Sequence, residues 1–167
     1  MKWLLFVDLD GTFWDHLNVS STALPFERVS KFTIRDRNGE TLTIKPGVLD
    51  FLGWARKNGA IISTCSWNEP DIAISALKTL QVENLFDYQR ISPEPRKDLL
   101  IMGLIAELGK MGESIPEEYV FYLDDRDRHM PEIKEHLPRL NFLHMWKVVE
   151  GYPAAKRIIA SSLGIDK

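Results

Sequence analysis

Apolar residues cluster in short runs, and helically spaced stretches separate most of these runs along the chain. Leu4-Leu5-Phe6-Val7, "AIISTCS" (60–66), "LFDYQRI" (85–91), "YVFYLDD" (119–125) and "NFLHMW" (141–146) read as strands. Runs apolar on both faces are what a strand covered on both sides of a parallel sheet needs. Between them, "PGVLDFLGWARKNG" predicts a helix with Pro46 in its first turn, an apolar stripe of Val48, Leu49, Leu52 and Ala55, and Gly59 as its stop. "EPDIAISALKTLQV" predicts a second helix with Pro70 in its first turn. Further helices are expected from Asp98 to about Lys110, through Ile133 and Leu137, and from Pro153 to Leu163. One segment breaks the rhythm: "KFTIRDRNGETLTI" alternates with period two around Asn38-Gly39, a hairpin signal, after an irregular stretch from Asp15 to Val29. Strands separated by helices imply an α/β fold, a doubly wound parallel sheet with right-handed crossovers. The hairpin is its one small insert. No repeat or linker divides residues 1–167, so a single domain is expected.

The polar residues that end these strands carry the chemistry. The first strand runs into Asp8 and Asp10, two apart and projecting the same way in extended chain. Gly11 then permits a tight turn and Thr12 adds a hydroxyl. The second strand ends in Ser66 and the fourth in Asp124 and Asp125. In a parallel sheet these ends share one edge, where open α/β sheets bind ligands. A charge at such a place is costly unless paired or holding a metal. Carboxylates without histidine or cysteine partners suit a hard cation that prefers oxygen, Mg²⁺ above all. Lys97 precedes a helix, where its charge opposes the helix dipole, and it can supply a fourth corner. Thr64, on the same face as Ser66, is the rival hydroxyl.

Composition narrows the class. Among 167 residues, 44% are hydrophobic and 27% charged, ordinary values for a globular chain. Lys+Arg 21 against Asp+Glu 24 gives −3, so no basic footprint points to nucleic acid. Cys65 is the single cysteine, which excludes an internal disulfide and a cysteine-rich zinc site; buried in its strand, it reads as core. His16, His129, His136 and His144 are scattered without metal spacing. No apolar run is long enough to cross a membrane, and "MKWLLFVDLD" reads as a strand and not as a signal peptide. A cytoplasmic monomer is expected.

"DLDGT" (8–12), a strand ending in Ser66, Lys97 before a helix and "YLDD" (122–125) resemble, in order, the four motifs of the haloacid dehalogenase superfamily. The resemblance spans residues 3–146 and implies the Rossmannoid sheet of that superfamily. "VDLDGTFW", "CSWNEP", "RK" and "YLDDRDR" look most like its magnesium-dependent phosphatases, many of which have Tyr where Gly11 stands and an acid where Arg126 stands. The resemblance implies a phosphomonoester hydrolase working through an aspartyl-phosphate. Asp8 is then the nucleophile, and Asp10 the acid and base, its backbone carbonyl also a metal ligand. Ser66 and Lys97 hold the phosphoryl group. Asp8, Asp10 and Asp124 bind Mg²⁺, with Asp125 as an alternative ligand or supporting group. Trp67 and Asn68 are candidates for substrate contact, and Trp14 for either the entrance or the interior. Asp127 and Arg128 read as solvated. Other phosphotransfer on the same scaffold, or an inactive binding module, are the competing readings. The intervals between motifs leave no room for a large cap domain. An open site is therefore expected, admitting phosphorylated small molecules, sugar or aryl phosphates, or a phosphotyrosine on a protein.

Overall fold

Each apolar run forms a strand. In this computed structural model, which describes residues 1–165, the chain runs β1 (Trp3–Val7), β2 (Glu27–Arg28), β3 (Thr33–Arg35), β4 (Thr41–Thr43), α1 (Val48–Lys57), β5 (Ala60–Trp67), α2 (Pro70–Thr79), β6 (Tyr88–Ser92), α3 (Lys97–Lys110), β7 (Val120–Asp124), α4 (Met130–His136), β8 (Asn141–His144) and α5 (Tyr152–Leu163). Five strands form one sheet in the order β6-β5-β1-β7-β8, every neighbouring pair parallel. The chain winds outward from β1 through β5 to β6, then returns to build β7 and β8 on the other side. That reversal opens a crevice beyond the carboxyl ends of the central strands.

The period of two along β1 sorts its side chains between two cores. Trp3, Leu5 and Val7 pack with residues of α1, α2 and α5, whereas Leu4 and Phe6 pack with residues of α3 and α4. All five are buried, and each contributes about 1.5–3 kcal/mol through the apolar area it removes from water. A rigid, doubly covered strand is what allows ionised groups to be held at its end.

The insert is larger than a hairpin. β2 adds to β3 and β4 as a three-stranded antiparallel sheet. β2 is two exposed residues long and has no apolar pattern, so it left no trace in the sequence. The Asp36 carboxylate receives the N–H groups of Ala23, Asn38 and Glu40 and so fixes the turn around Gly39. Ile34, Leu42 and Ile44 anchor this small sheet in the core shared with Phe13 and Trp14.

Two boundaries differ from the pattern. Pro46 lies outside α1, because Gly47 at φ 83° caps the helix and a left-handed residue there separates the proline from the first turn. β6 begins at Tyr88, since Leu85 and Phe86 belong to a short 3-10 turn and its exit.

Candidate active site

Val7 of β1 pairs with Leu123 of β7, and the Asp8 N–H donates to the Leu123 carbonyl at 3.0 Å. Asp8 and Asp124, the next residues on each strand, therefore emerge side by side. Alternation puts Asp8 on the face of Leu4 and Phe6, and Asp124 on the face of Tyr122, the side covered by α3. Lys97, the first residue of α3, meets them there. Its Nζ donates to Asp8 Oδ1 and to Asp124 Oδ2, both at 2.8 Å. Lys97 is 1% exposed, Asp8 3% and Asp124 0%, so this is a buried ionic cluster and not a surface pair.

Asp124 is saturated by its neighbours. Besides Lys97, its Oδ2 receives the Tyr122 hydroxyl, and its Oδ1 receives the Arg126 backbone N–H at 3.0 Å. Asp125 is freer. Thr12 Oγ1 accepts the Asp125 N–H at 2.9 Å, and its single proton is shared between Asp8 Oδ2 at 3.1 Å and Asp125 Oδ1 at 3.2 Å. Asp125 Oδ2 has no hydrogen-bond partner among the described residues. Gly11, at φ 74°, passes so close that a Cβ there would stand 2.4 Å from Asp125 Oδ2. A side chain at position 11 would have to displace that carboxylate.

The three carboxylates and the single Lys97 ammonium leave the cluster two positive charges short when all are ionised. Burial pushes Asp8 well above the usual carboxylate range and the charge of Asp124 adds to this, while the Lys97 ammonium pulls the other way. For Asp124, burial is outweighed by Lys97 and the Tyr122 hydroxyl, which hold it at about 2. Burial would lower Lys97, but the two carboxylates keep it charged and raise it. Burial raises Asp125 as well. Asp8, Asp124 and Asp125 each offer an oxygen within 4.8 Å of the others. Three carboxylates facing one ammonium, all oxygen donors, fit a hard divalent cation.

A second cluster flanks the first. Asn68 Nδ2 donates to Asp10 Oδ2 at 2.9 Å and to Ser66 Oγ at 2.7 Å, while its Oδ1 accepts the Ser20 hydroxyl at 2.6 Å. Asp10 Oδ1 receives Trp14 Nε1 at 2.8 Å and the Val19 N–H at 3.1 Å. Trp14 therefore packs inside and positions Asp10 from below, leaving the entrance to Trp67. Thr64 is tied to β6, accepting the Arg90 N–H at 2.8 Å, so the hydroxyl brought beside Asp10 is that of Ser66.

Beyond these groups lies an open cavity of about 470 Å³ lined by Asp10, Trp67, Asn68 and Arg128, among others. Arg128 is solvated, as the sequence suggests, and its guanidinium also sits 4.7 Å from the centre of the Trp67 ring, over its face. Tyr122 and the pair Arg126 and Arg128 are the site residues that the pattern did not single out. Tyr122 stands two before Asp124, so strand periodicity alone places it on the site's face.

The profile of a protein family described as Acid Phosphatase matches residues 1–137. The chain belongs to the acid phosphatase family. Its fold is shared with solved structures of low sequence identity. One is the N-terminal part of the protein BF1531 from Bacteroides fragilis, containing a phosphatase domain and complexed with Mg, at TM-score 0.62 and 20% identity. That match covers 100% of this chain and 41% of the other, so the chain spans about two fifths of its length. Another is a haloacid dehalogenase superfamily hydrolase from Ehrlichia chaffeensis, at TM-score 0.63 and 11% identity, covering 98% of this chain and 99% of the other. No curated protein sequence gives a significant match. Among the described residues, no helix of this acid phosphatase relative is long and apolar enough to cross a membrane.

His129, packed edge-on against Trp67 at 6.2 Å, is buried with no partner for Nε2. Burial, and then the charge of Lys97, lower its titration from the ordinary 6.5 to about 4. Between those values the unfolded chain binds a proton that the folded one refuses, so acidification through this window destabilises the fold. The melting temperature should fall between pH 6.5 and pH 4, and His129→Phe should flatten that part of the profile in a thermal melt series.

Proposed function

We propose that this chain hydrolyses phosphomonoesters through an aspartyl-phosphate on Asp8, with Mg²⁺ as its metal. The observation that carries the reading is Lys97, buried and bonded at once to Asp8 and Asp124. A fixed ammonium beside a carboxylate nucleophile can neutralise the charge that builds on a phosphoryl group as Asp8 attacks in line. Asp10, held by Trp14, Val19 and Asn68, protonates the leaving oxygen and afterwards takes a proton from the attacking water. Ser66, whose Oγ accepts from Asn68 and so keeps its proton free, donates to a phosphoryl oxygen.

Asp8, the Asp10 carbonyl and the acids of the fourth motif would hold Mg²⁺. Of those acids, Asp124 spends its oxygens on Lys97, Tyr122 and Arg126, whereas Asp125 keeps a free oxygen; this favours Asp125 for direct ligation, with Asp124 orienting Lys97. Bound there, the cation would screen the repulsion between the anionic nucleophile and the phosphate. The magnesium complex of the Bacteroides fragilis phosphatase domain supports this choice of metal. We take the chain to work as a single-domain monomer of the cytoplasm, on aryl or sugar phosphates or phosphotyrosine.

The test is phosphate release from an aryl phosphate and an alkyl phosphate. Chelation should lower both rates at least about a hundredfold, and Mg²⁺, but not Ca²⁺, should restore them. Asp10→Asn should damage alkyl phosphate turnover more than aryl, because a phenolate leaves without a proton. Absence of hydrolysis with Mg²⁺, or equal losses on the two substrates, would contradict the assigned chemistry.

A further inference from the structure

The mouth of the cavity carries two cations that the chemistry above does not use. Arg126 and Arg128 follow directly on the fourth-motif acids, both exposed, and both line the cavity with Trp67, Asn68, Asp10 and Glu69. Neither guanidinium makes an ion pair or donates a hydrogen bond among the described residues. Arg35, Arg56, Arg90, Arg96 and Arg139 each pair with a carboxylate, and Arg28, Arg37 and Arg157, which do not among the described residues, lie outside the cavity lining.

These two arginines are also placed by the fold. The Arg126 backbone is fixed by its bond to Asp124 Oδ1 at 3.0 Å. The Arg128 guanidinium sits over the face of Trp67, 4.7 Å from its centre, and Trp67 Nε1 donates to the Pro93 carbonyl at 3.0 Å. An arginine held over an aromatic face by its charge can still offer N–H groups in the fork geometry that matches a carboxylate or phosphate. Of the acids on the same cavity, Asp10 is turned to Trp14, Val19 and Asn68, and neither it nor Glu69 forms an ion pair with Arg126 or Arg128 among the described residues.

Burial separates this pair from the phosphoryl site. Asp8, Lys97 and Ser66 are buried, whereas the arginines stand in solvent at the outer end. A group bound near the arginines is therefore the far part of the substrate and not the phosphate under attack. The cavity of about 470 Å³ between Asp10 and the arginines has room for that far part, lying within the range of sites for small molecules.

We propose that Arg126 and Arg128 select phosphomonoesters whose leaving group bears a second anion, a carboxylate or a further phosphate, over those with a neutral leaving group. The inference rests on the phosphatase reading above and adds its substrate class. Trp67, beneath Arg128, offers an apolar face to the carbon skeleton between the two anions.

The test uses benzylphosphonates, which cannot be hydrolysed, carrying either a para-carboxylate or the isosteric para-carboxamide. Calorimetric binding is measured with Mg²⁺ present. The carboxylate should bind about tenfold more tightly, as expected for a pair of charge-assisted contacts. The preference should shrink in high salt, and should fall to within about twofold in the Arg126→Gln/Arg128→Gln double variant. Equal affinities in the unmodified protein, or a preference that survives the double substitution, overturns the proposal. A para-phosphonomethyl compound then distinguishes a second phosphate from a carboxylate as the better partner. Because binding is read without turnover, failure of the anion preference is distinct from failure of the phosphatase reading, which would show as no phosphate release from any monoester.

Discussion

Asp8→Asn should reduce phosphate release by about four powers of ten or more while leaving the fold intact. The amide keeps the shape of the carboxylate but has no charge with which to attack phosphorus. Stability should move the other way. Burial and the neighbouring charge of Asp124 raise Asp8 well above the usual range, so its ionised form is disfavoured in the folded protein without metal. Neutralising it removes that cost, and the metal-free variant should melt at or above the temperature of the unmodified protein. A variant that melts normally and still turns over substrate would refute the nucleophile. One that unfolds would refute the electrostatic account of the cluster.

Lys97→Met should have the second largest effect, a loss of about a thousandfold in turnover, of the size seen when a positioned transition-state donor is removed. Unlike Asp8→Asn, it should also destabilise the protein. Two buried carboxylates would face each other with no cation between them, and breaking a buried ion pair in this way costs about 3–5 kcal/mol. Two controls separate these effects. Mg²⁺ should raise the melting temperature of Lys97→Met more than that of the unmodified protein, because the cation replaces the missing charge. Adding Asp124→Asn to Lys97→Met should recover stability without recovering activity. Recovery of both would make Lys97 a structural residue only.

Most of the sheet was legible because its strands obey local rules. A parallel strand buried on both faces reads as an unbroken apolar run, and its acidic end then marks the sheet's edge. Asp8, Ser66, Lys97 and Asp124 could be placed on common ground by strand and helix order alone. What could not be read depends on contacts between distant segments. β2 is held by pairing with β3 and has no pattern of its own. Trp14 could face in or out by sequence; its bond to Asp10 and the core around Phe13 decide for the interior. The choice between Thr64 and Ser66 turns on β6, which claims the threonine through the Arg90 backbone. The difference between Asp124 and Asp125 turns on Tyr122 and the Arg126 N–H. Arg128 is solvated, as a charge run on a loop usually is, and only the fold shows that it also reaches the face of Trp67.

Cys65 gives the sheet a built-in reporter. It is the single thiol of the chain, it lies in β5 next to Ser66, and it packs with Leu4, Phe6 and Ile101 in the core under α3. Burial raises its titration far above the ordinary thiol range, so a water-soluble disulfide reagent cannot react with it while the sheet is closed. Its labelling rate therefore follows the opening of the catalytic edge itself, and not the fraying of loops or of the small antiparallel sheet. Slower labelling on addition of Mg²⁺ or of a bound phosphonate would show, without any chromophore near the site, how tightly closure of the central strands is linked to occupation of the crevice above them.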